Sequence, residues 1–184
     1  MLVPLIVIFG LLLLCSMAYA GYSAAPWVPT WKKDALRMLR LAAVQSGEKV
    51  VDLGCGDGKI LFLAANIFHA QSRGVDIGIP QYIHAQIWRW FQPRRRDIHI
   101  RFGDLFRFDI RDADVVIVYL LPKCYDRLLQ KFEKELAPGT RVIVQAWPLP
   151  RWKPVTVDRP TPRDLPLYVY RVPSPNSSSV HDRE

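Results

Sequence analysis

Apolar positions along the chain fall into two kinds of run, short continuous runs and longer runs with helical spacing. The short runs predict buried parallel strands over residues 49–53, 73–78, 98–102, 114–121 and 141–146. Apolar residues recurring every three or four positions predict helices over 31–44, 59–70, 80–91 and 123–136. Runs at 155–157 and 167–172 predict a closing strand pair. This order predicts an α/β fold with a doubly wound, mostly parallel seven-stranded sheet.

An uninterrupted uncharged run, residues 2–20, precedes this pattern, and the first charged side chain is Lys32. At about 1.5 Å per residue, a helix of this length nearly spans a hydrocarbon core of roughly 30 Å. The basic residues follow the run and none precedes it. This favours an uncleaved, single-pass membrane helix with the rest of the chain on the cytoplasmic or an equivalent side. A cleaved signal ending at Ala18-Tyr19-Ala20 and a buried helix are the alternatives.

The length of 184 residues favours one folded domain besides this helix. We therefore divide the chain into an anchor at 1–21, a proline-containing linker at 22–30, the α/β domain at 31–172 and a tail at 173–184. The tail is rich in Pro, Ser and Asn, and this composition predicts disorder.

The net charge of +8 lies outside the anchor and is densest at Arg89, Arg94, Arg95, Arg96 and Arg101. A solvated helix end and an attraction to anionic lipid headgroups are both open interpretations. Nucleic-acid binding is disfavoured because no aromatic stacking pattern or known nucleic-acid module accompanies the charge. The three cysteines form no disulfide framework, and the four histidines show no metal-ligand spacing, so we predict no metal site.

The end of the first predicted strand carries the candidate chemistry. Residues 50–59 read Val-Val-Asp-Leu-Gly-Cys-Gly-Asp-Gly-Lys, a strand followed by a glycine turn and a helix. Such a unit presents backbone N–H groups and a helix N-terminus to a ligand. Gly54, Gly56 and Gly58 form G-x-G-x-G, whereas a dinucleotide site has G-x-G-x-x-G.

Two further acids follow the next two strands. Asp76, about 20 residues beyond the glycine loop, can accept hydrogen bonds from both hydroxyls of a ribose. Asp104 follows the third strand, and Tyr119 lies near the end of the fourth. In a doubly wound sheet the ligand lies beyond the carboxyl ends of the strands, so we expect these residues and Asp52 to line one crevice.

The glycine loop with Asp52 resembles motif I of class I S-adenosylmethionine (SAM)-dependent methyltransferases. Further segments resemble, in the same order, the membrane-anchored lysine methyltransferases that modify the adenine nucleotide translocase and the ATP synthase c subunit, and their prokaryotic relatives. These segments are Pro-Trp-Val-Pro-Thr at 26–30, Gly-Asp-Leu-Phe at 103–106, Lys-Phe-Glu-Lys-Glu-Leu at 131–136 and Trp-Pro-Leu-Pro-Arg-Trp-Lys-Pro at 147–154. The match covers about residues 26–172. It departs from the family at Asp76-Ile77-Gly78, where the family usually has Glu with Asn two positions later, and at Ala146-Trp147-Pro148, where it has Arg-Phe-Pro.

The resemblance implies SAM as the cofactor and a Rossmann-like methyltransferase sheet. The cofactor-binding residues that it implies, together with the pattern above, are Asp52, Gly54, Cys55, Gly56, Gly58, Asp76, Asp104 and Leu105. Aromatic faces can hold both an ammonium and a sulfonium, so Tyr119, Trp147 and Trp152 are candidates for a substrate-lysine wall, with Trp27 or Trp31 as a lid. No general base is assigned.

The implied reaction is methyl transfer to a lysine of a membrane-embedded or membrane-associated protein. About ten residues separate Ala20 from Trp31, so an anchor at residues 2–20 in the bilayer would keep the pocket close to the membrane. A nucleic-acid methyltransferase, a small-molecule methyltransferase and a non-catalytic SAM-binding membrane module remain as alternatives. The first is disfavoured because Tyr119-Leu120-Leu121-Pro122 replaces the Asn/Asp-Pro-Pro-aromatic sequence of amino-methylating nucleic-acid enzymes.

Overall fold

A computed structural model describes residues 2–23 and 27–173 of the chain. The helices are α1 (Leu2–Ser23), α2 (Lys32–Leu41), α3 (Lys59–Phe68), α4 (Ile79–Trp90) and α5 (Tyr125–Glu135). The strands are β1 (Lys49–Leu53), β2 (Gln71–Asp76), β3 (Ile98–Phe102), β4 (Val115–Val118), β5 (Arg141–Gln145), β6 (Thr156–Asp158) and β7 (Leu167–Arg171). Short 3-10 turns at Arg95–Asp97 and Pro122–Cys124 precede β3 and α5.

The strands form one sheet in the order β3-β2-β1-β4-β5-β7-β6. Neighbours among the first five strands pair in parallel, and β7 pairs antiparallel with both β5 and β6. The predicted doubly wound, mostly parallel seven-stranded sheet is therefore confirmed. Strand order reverses between β1 and β4, and this is the switch point where such sheets bind ligands.

Alternate residues of the central strands pack on opposite faces, because side chains of a strand alternate between the two sides of the sheet. Val51 belongs to a core cluster with Leu128 and Phe132 of α5. Its neighbour Val50 belongs to a second cluster with Met38 of α2 and other residues of α2 and α3. Burial on both faces explains why β4 is a continuous apolar run.

Two predicted boundaries are wrong by three residues. Helix α2 ends at Leu41 because Ala43 takes a positive φ of 48° and the N–H of Val44 turns back to the carbonyl of Leu39 at 3.2 Å. Strand β4 ends at Val118, opposite Leu53 of β1, because β1 turns away at the glycine loop. Residues 119–121 follow the last paired residue of β4, and Tyr119 and Leu120 border the cavity described below.

Helix α1 covers most of the predicted anchor at residues 1–21 and lies against the start of α4. The N–H of Ile79 donates to Ser16 Oγ at 3.0 Å. If only residues with a described position are counted, no helix is long and apolar enough to cross a membrane. The anchor stays a prediction. Residues 24–26 of the predicted linker and 174–184 of the predicted disordered tail lie outside the described residues.

Candidate active site

A cavity of ≈ 260 Å³ lies beyond the carboxyl ends of β1, β2 and β4, at the switch point of the sheet. Eight of the ten predicted site residues line it: Asp52, Gly54, Cys55, Gly56, Asp76, Asp104, Leu105 and Tyr119. The other two, Gly58 and Trp147, are not among its lining residues.

The glycine loop approaches the cavity in a conformation that side chains would obstruct. Gly54 and Gly56 have φ values of 82° and 51°, in the left-handed region that favours glycine. A Cβ at Gly56 would lie 2.6 Å from Trp27 Nε1, and a Cβ at Gly54 would lie 3.1 Å from Leu120 Cδ2. Gly58 leaves room for a side chain of α3 and not for a ligand, because a Cβ there would lie 2.8 Å from the Phe62 ring. We call this loop, residues 54–58, the cradle. Gly54 and Gly56 keep the side of the cradle that faces the cavity free of side chains.

Asp76, at the end of β2, connects this loop to the segment that begins α4. Its Oδ2 accepts the N–H of Gly56 at 2.8 Å, and its Oδ1 accepts the N–H of Gly78 at 2.7 Å. A carboxylate oxygen has two lone pairs, so each oxygen can still accept one hydroxyl. Burial raises the pKa of Asp76, and these backbone N–H bonds, together with that of Ile77, offset part of the rise. The side chain thus presents two fixed, adjacent acceptors, which suits the paired hydroxyls of a ribose.

Asp52 lies deeper, at 4% exposure near the end of β1. Burial, with smaller contributions from the charges of Asp76 and Asp57, raises the pKa of Asp52 to about 8. Burial, followed by the charges of Asp52, Asp76 and Asp57, also raises the pKa of the Cys55 thiol, which is therefore neutral at ordinary pH. The cavity gathers acidic groups, and their field favours a ligand with cationic centres.

The contribution of Asp52 to the stability of the ligand-free protein is expected to fall as pH rises from about 4 to about 8. The pKa of Asp52 is raised in the folded state, so folding favours the protonated carboxyl, and this contribution is lost as the group ionises. Between pH 5 and pH 8, the melting temperature of the wild type should fall more than that of Asp52→Asn, by roughly 5 °C. Parallel curves for the two proteins would contradict this placement of Asp52, since all other titrating groups are shared.

The second half of the predicted linker, residues 27–30, lies over the glycine loop, and Lys59 holds it there. Lys59 Nζ donates to the carbonyl of Thr30 at 2.7 Å and lies 3.2 Å from Asp57 Oδ2. Trp27, Val28 and Thr30 line the cavity, so this segment forms one of its walls. The sequence did not single out Lys59, because its contact with Thr30 joins residues 29 positions apart.

We expect Lys59→Met to weaken SAM binding about tenfold, the effect of losing roughly 1.4 kcal/mol. The aliphatic stem is retained, but the charged hydrogen bond that closes the wall over the cofactor is lost. Lys49→Met is the matched control, because Lys49 pairs with Asp112 at the opposite end of β1. Calorimetric titration of both variants with SAM measures the effect, and equal affinities would show that the wall closes without Lys59.

The far side of the cavity, beyond β3, combines polar groups and a stacked cation. Asp104 Oδ1 accepts the N–H of Phe106 at 2.9 Å, while Arg127 lies with its Cζ 3.8 Å from the centroid of the Phe106 ring. Gln81, in the first turn of α4, is 7% exposed and lines the cavity. Its buried Oε1 has no hydrogen-bond partner among residues 2–23 and 27–173. Because a buried acceptor without a partner is costly, Gln81 indicates a polar ligand at this wall.

Tyr119 lies next to the glycine loop, where the chain leaves β4, and is half-buried. Burial raises the pKa of Tyr119, and the charge of Asp34 adds to the rise. Asp34 is itself buried in the first turn of α2, 3.3 Å from Arg37 Nη1, and was not predicted. A short acidic residue at a helix start gives no sequence signal beyond its ordinary effect on the helix dipole.

The other predicted wall aromatics lie elsewhere. Trp152 packs between Phe132 and Tyr170, with ring centroids 6.1 Å and 6.3 Å away, and so belongs to the core. Trp147 is 39% exposed and Trp31 is 75% exposed, and neither lines the cavity. Of the five aromatics named from the sequence, Tyr119 and Trp27 border the site.

These features together fit SAM. Asp76 offers the acceptor pair for a ribose, the glycines leave room for close approach, Gln81 offers an unused acceptor, and the acidic field suits a sulfonium and an ammonium. No cluster of three or more metal-ligand side chains occurs in the described part of the chain.

Several known proteins are similar to this chain in sequence. Residues 52–156 match the family described as the ANTKMT methyltransferase domain. A "Protein-lysine N-methyltransferase" of Saccharolobus islandicus is 38% identical over 142 residues, which are 77% of this chain and 87% of that protein. The "Adenine nucleotide translocase lysine N-methyltransferase" of Mus musculus is 30% identical over 132 residues, 72% of this chain and 57% of that protein. The chain thus spans little more than half of its mouse relative.

A solved structure shows the likeness in three dimensions. A structure described as an RNA methyltransferase from Salinibacter ruber, in complex with S-adenosyl-L-homocysteine, superposes with a TM-score of 0.77. It is 33% identical and aligns with 80% of this chain and 95% of its own. The fold and the site define a class I SAM-dependent methyltransferase. Within that class, the chain belongs to the ANTKMT methyltransferase domain family, as the sequence resemblance indicated.

Proposed function

We propose that this enzyme transfers the methyl group of SAM to a lysine side chain of a membrane-associated protein. The observation that carries the proposal is the likeness to the archaeal protein-lysine N-methyltransferase, which extends over most of both chains. The mouse relative is named for the adenine nucleotide translocase, which supports a protein substrate here as well. The cavity supports it too, because the half-buried ring of Tyr119 lines it together with the glycine loop.

The residues of the pocket are suited to receive and neutralise a lysine. SAM, when bound, supplies an electrophilic methyl group on its sulfonium. A lysine with a free pKa near 10.4 must lose a proton before it can attack. The half-buried ring of Tyr119 lines the cavity and can contact the incoming ammonium through its face. Exclusion of water by Trp27 and Tyr119 then lowers the pKa of the amine.

Removing the Tyr119 ring is expected to separate substrate binding from cofactor binding. In Tyr119→Ala, kcat/KM for the protein substrate should fall about 100-fold, equivalent to about 2.7 kcal/mol of lost packing and cation contact. The Kd for SAM should change less than about threefold, because Asp76 and the glycine loop are untouched. Tyr119→Phe keeps the ring and should retain most activity. If Tyr119→Ala lost SAM binding and activity equally, the ring would belong to the cofactor site.

The membrane part of the proposal rests on the uncharged run at 2–20 and on α1, a 22-residue helix that lies against α4. We propose that α1 is a single-pass anchor and that the α/β domain lies on the cytoplasmic or matrix-equivalent side. The enzyme would then meet lysines close to the bilayer surface. A variant lacking residues 1–25 should methylate its target poorly in intact membranes but normally after detergent extraction. Equal rates in intact membranes would show that proximity is irrelevant.

One observation favours a second candidate, RNA methylation: the similar Salinibacter ruber structure, 33% identical, is described as an RNA methyltransferase. A single labelling experiment distinguishes the two. Membranes with and without nuclease treatment are incubated with the full chain and methyl-tritiated SAM. A labelled protein band whose digest contains methyl-lysine, and which nuclease leaves unchanged, is the expected result. Label that nuclease removes would show that the substrate is RNA. SAM binding without any methyl transfer would show that the protein is a non-catalytic SAM-binding module.

A further inference from the structure

The outer side of helix α4 exposes large apolar side chains that the methyl-transfer site does not use. Ile83, Ile87, Trp88, Trp90 and Phe91 are between 45% and 74% exposed, and we call them the α4 face. Ile83, Ile87 and Trp90 follow helical spacing along one line, with Phe91 and Trp88 beside them. The ring of Trp88 lies edge-on to that of Phe91, with centroids 6.3 Å apart. A continuous apolar patch of this kind marks an interaction surface.

The fold does not require these residues to be apolar. The opposite side of α4 already packs on the domain, where Gln81 and Ala85 are buried and the Tyr82 ring lies 5.7 Å from that of Phe102. A surface helix with one buried side normally has polar residues on the other. Packing within the described residues therefore does not explain why the α4 face is apolar.

Positive charge adjoins this face. Helix α4 runs into Arg94, Arg95 and Arg96, which we call the arginine turn. Arg95 Cζ lies 5.5 Å from the centroid of the Trp90 ring, so the cation and the apolar face are in direct contact. Arg94 is paired with Asp97 at 2.8 Å, whereas Arg95 and Arg96 are exposed. A shallow depression is lined by the turn and its neighbours, residues 92–97.

Helix α1 extends the apolar surface. It meets α4 where Ser16 Oγ accepts the N–H of Ile79 and donates to the carbonyl of Ile77. Leu11 and Leu14, in the turns of α1 before Ser16, are more than half exposed. Two adjacent helices thus expose large apolar side chains, and the arginine turn lies at the end of one of them.

We infer that the α4 face and the arginine turn dock on a bilayer that contains anionic lipids. Tryptophan and phenylalanine favour the boundary between headgroups and acyl chains, where an amphipathic helix buries its apolar side. Arginines at the end of such a helix reach lipid phosphates, each with a gain of about 1 kcal/mol near an anionic surface. The cavity is lined by the first turn of the same helix, so docking holds its mouth at a fixed height above the lipid. This contact is separate from the proposed lysine transfer, because it requires neither SAM nor a substrate.

A fluorescence experiment on the full chain tests the contact. Cysteine is placed at Ile87, or at Val157 as a control, in a Cys15→Ser background; the other two cysteines, Cys55 and Cys124, are buried. Val157 is similarly exposed but lies on β6, at the edge of the sheet opposite β3. Each variant is labelled with nitrobenzoxadiazole and reconstituted in vesicles with brominated acyl chains, either neutral or with about 30% phosphatidylglycerol.

In anionic vesicles we expect quenching at position 87 to exceed quenching at position 157 about threefold or more. Arg95→Glu/Arg96→Glu should bring the signal at position 87 down to that in neutral vesicles, without changing the signal at position 157. Equal quenching at the two positions would overturn the inference even if α1 keeps the protein on the vesicle. A second result would also overturn the inference: the probe at position 87 is shielded from water but not quenched by lipid, and sedimentation shows a dimer. If Trp90→Glu dissociates that dimer, a second copy of the chain covers the α4 face.

Discussion

Replacing Asp76 with alanine is expected to raise the Kd for SAM by at least about 100-fold. Hydrogen bonds to a charged acceptor contribute about 1.5–3 kcal/mol each, and the two carboxylate oxygens of Asp76 can each accept one ribose hydroxyl. The substitution also removes the acceptor for the N–H groups of Gly56 and Gly78, so the cradle loses its connection to β2.

Two further variants separate these contributions from general damage. Asp76→Glu should recover part of the affinity, because it retains both acceptor oxygens. Asp109→Ala is the control, since Asp109 is exposed and pairs with Arg111 away from the cavity. Calorimetric titration with SAM, together with a thermal melt for each protein, gives the comparison. Unchanged affinity in folded Asp76→Ala would refute the ribose contact.

We expect Gly54→Val to raise the Kd for SAM about 100-fold or more, which corresponds to a loss of about 2.7 kcal/mol in binding free energy. The side chain would enter the cavity, and its Cβ alone would lie 3.1 Å from Leu120 Cδ2. Backbone strain is part of the cost, because a φ of 82° is unfavourable for a β-branched residue.

Gly139→Val is the control that measures the effect of backbone strain alone. Gly139 has a nearly equal φ of 87°, but a Cβ there meets no atom within 4 Å and the residue does not line the cavity. We expect comparable losses of melting temperature in both variants and loss of SAM binding in Gly54→Val alone. If Gly139→Val bound SAM as poorly as Gly54→Val, the effect would be one of stability and not of the cradle.

The sheet could be predicted from the sequence because its strands are short apolar runs bounded by turns. The bounds of β1 and β3 agree with the prediction at both ends. Strand β4 was extended too far because Leu120 and Leu121 continue its apolar run. An apolar run indicates burial, whereas a strand ends where pairing with its neighbour ends. The pairing of β4 with β1 ends at Val118 and Leu53, because β1 turns at Gly54.

The candidate site was predictable in its cofactor half and less so in its substrate half. Asp52, Asp76 and Asp104 follow strand ends, and topology alone brings such positions together. Aromatic residues carry no such information: Trp152 joins the core, while Trp27 borders the cavity. Lys59 acts through a contact with Thr30 across the fold, and Gln81 is an unpaired buried acceptor in the cavity wall; in the sequence both resemble ordinary helix residues.

The arrangement of the acids explains how one crevice can both bind a cation and hold a sugar. Asp76 is pinned by backbone N–H groups and serves as an acceptor, whereas Asp52 is buried with its pKa near 8 and responds to the charge of its neighbours. A bound cationic group would favour the ionised form of Asp52. SAM binding to the wild type is therefore linked to proton release near neutral pH.

The most direct test of the central claim is a calorimetric titration of the full chain with SAM and, separately, with NAD. We expect one SAM site per chain and no measurable heat with NAD, because Asp76 suits a ribose and the carboxyl groups that line the cavity disfavour an anionic pyrophosphate. Absence of SAM binding, or NAD binding of equal strength, would contradict the central claim.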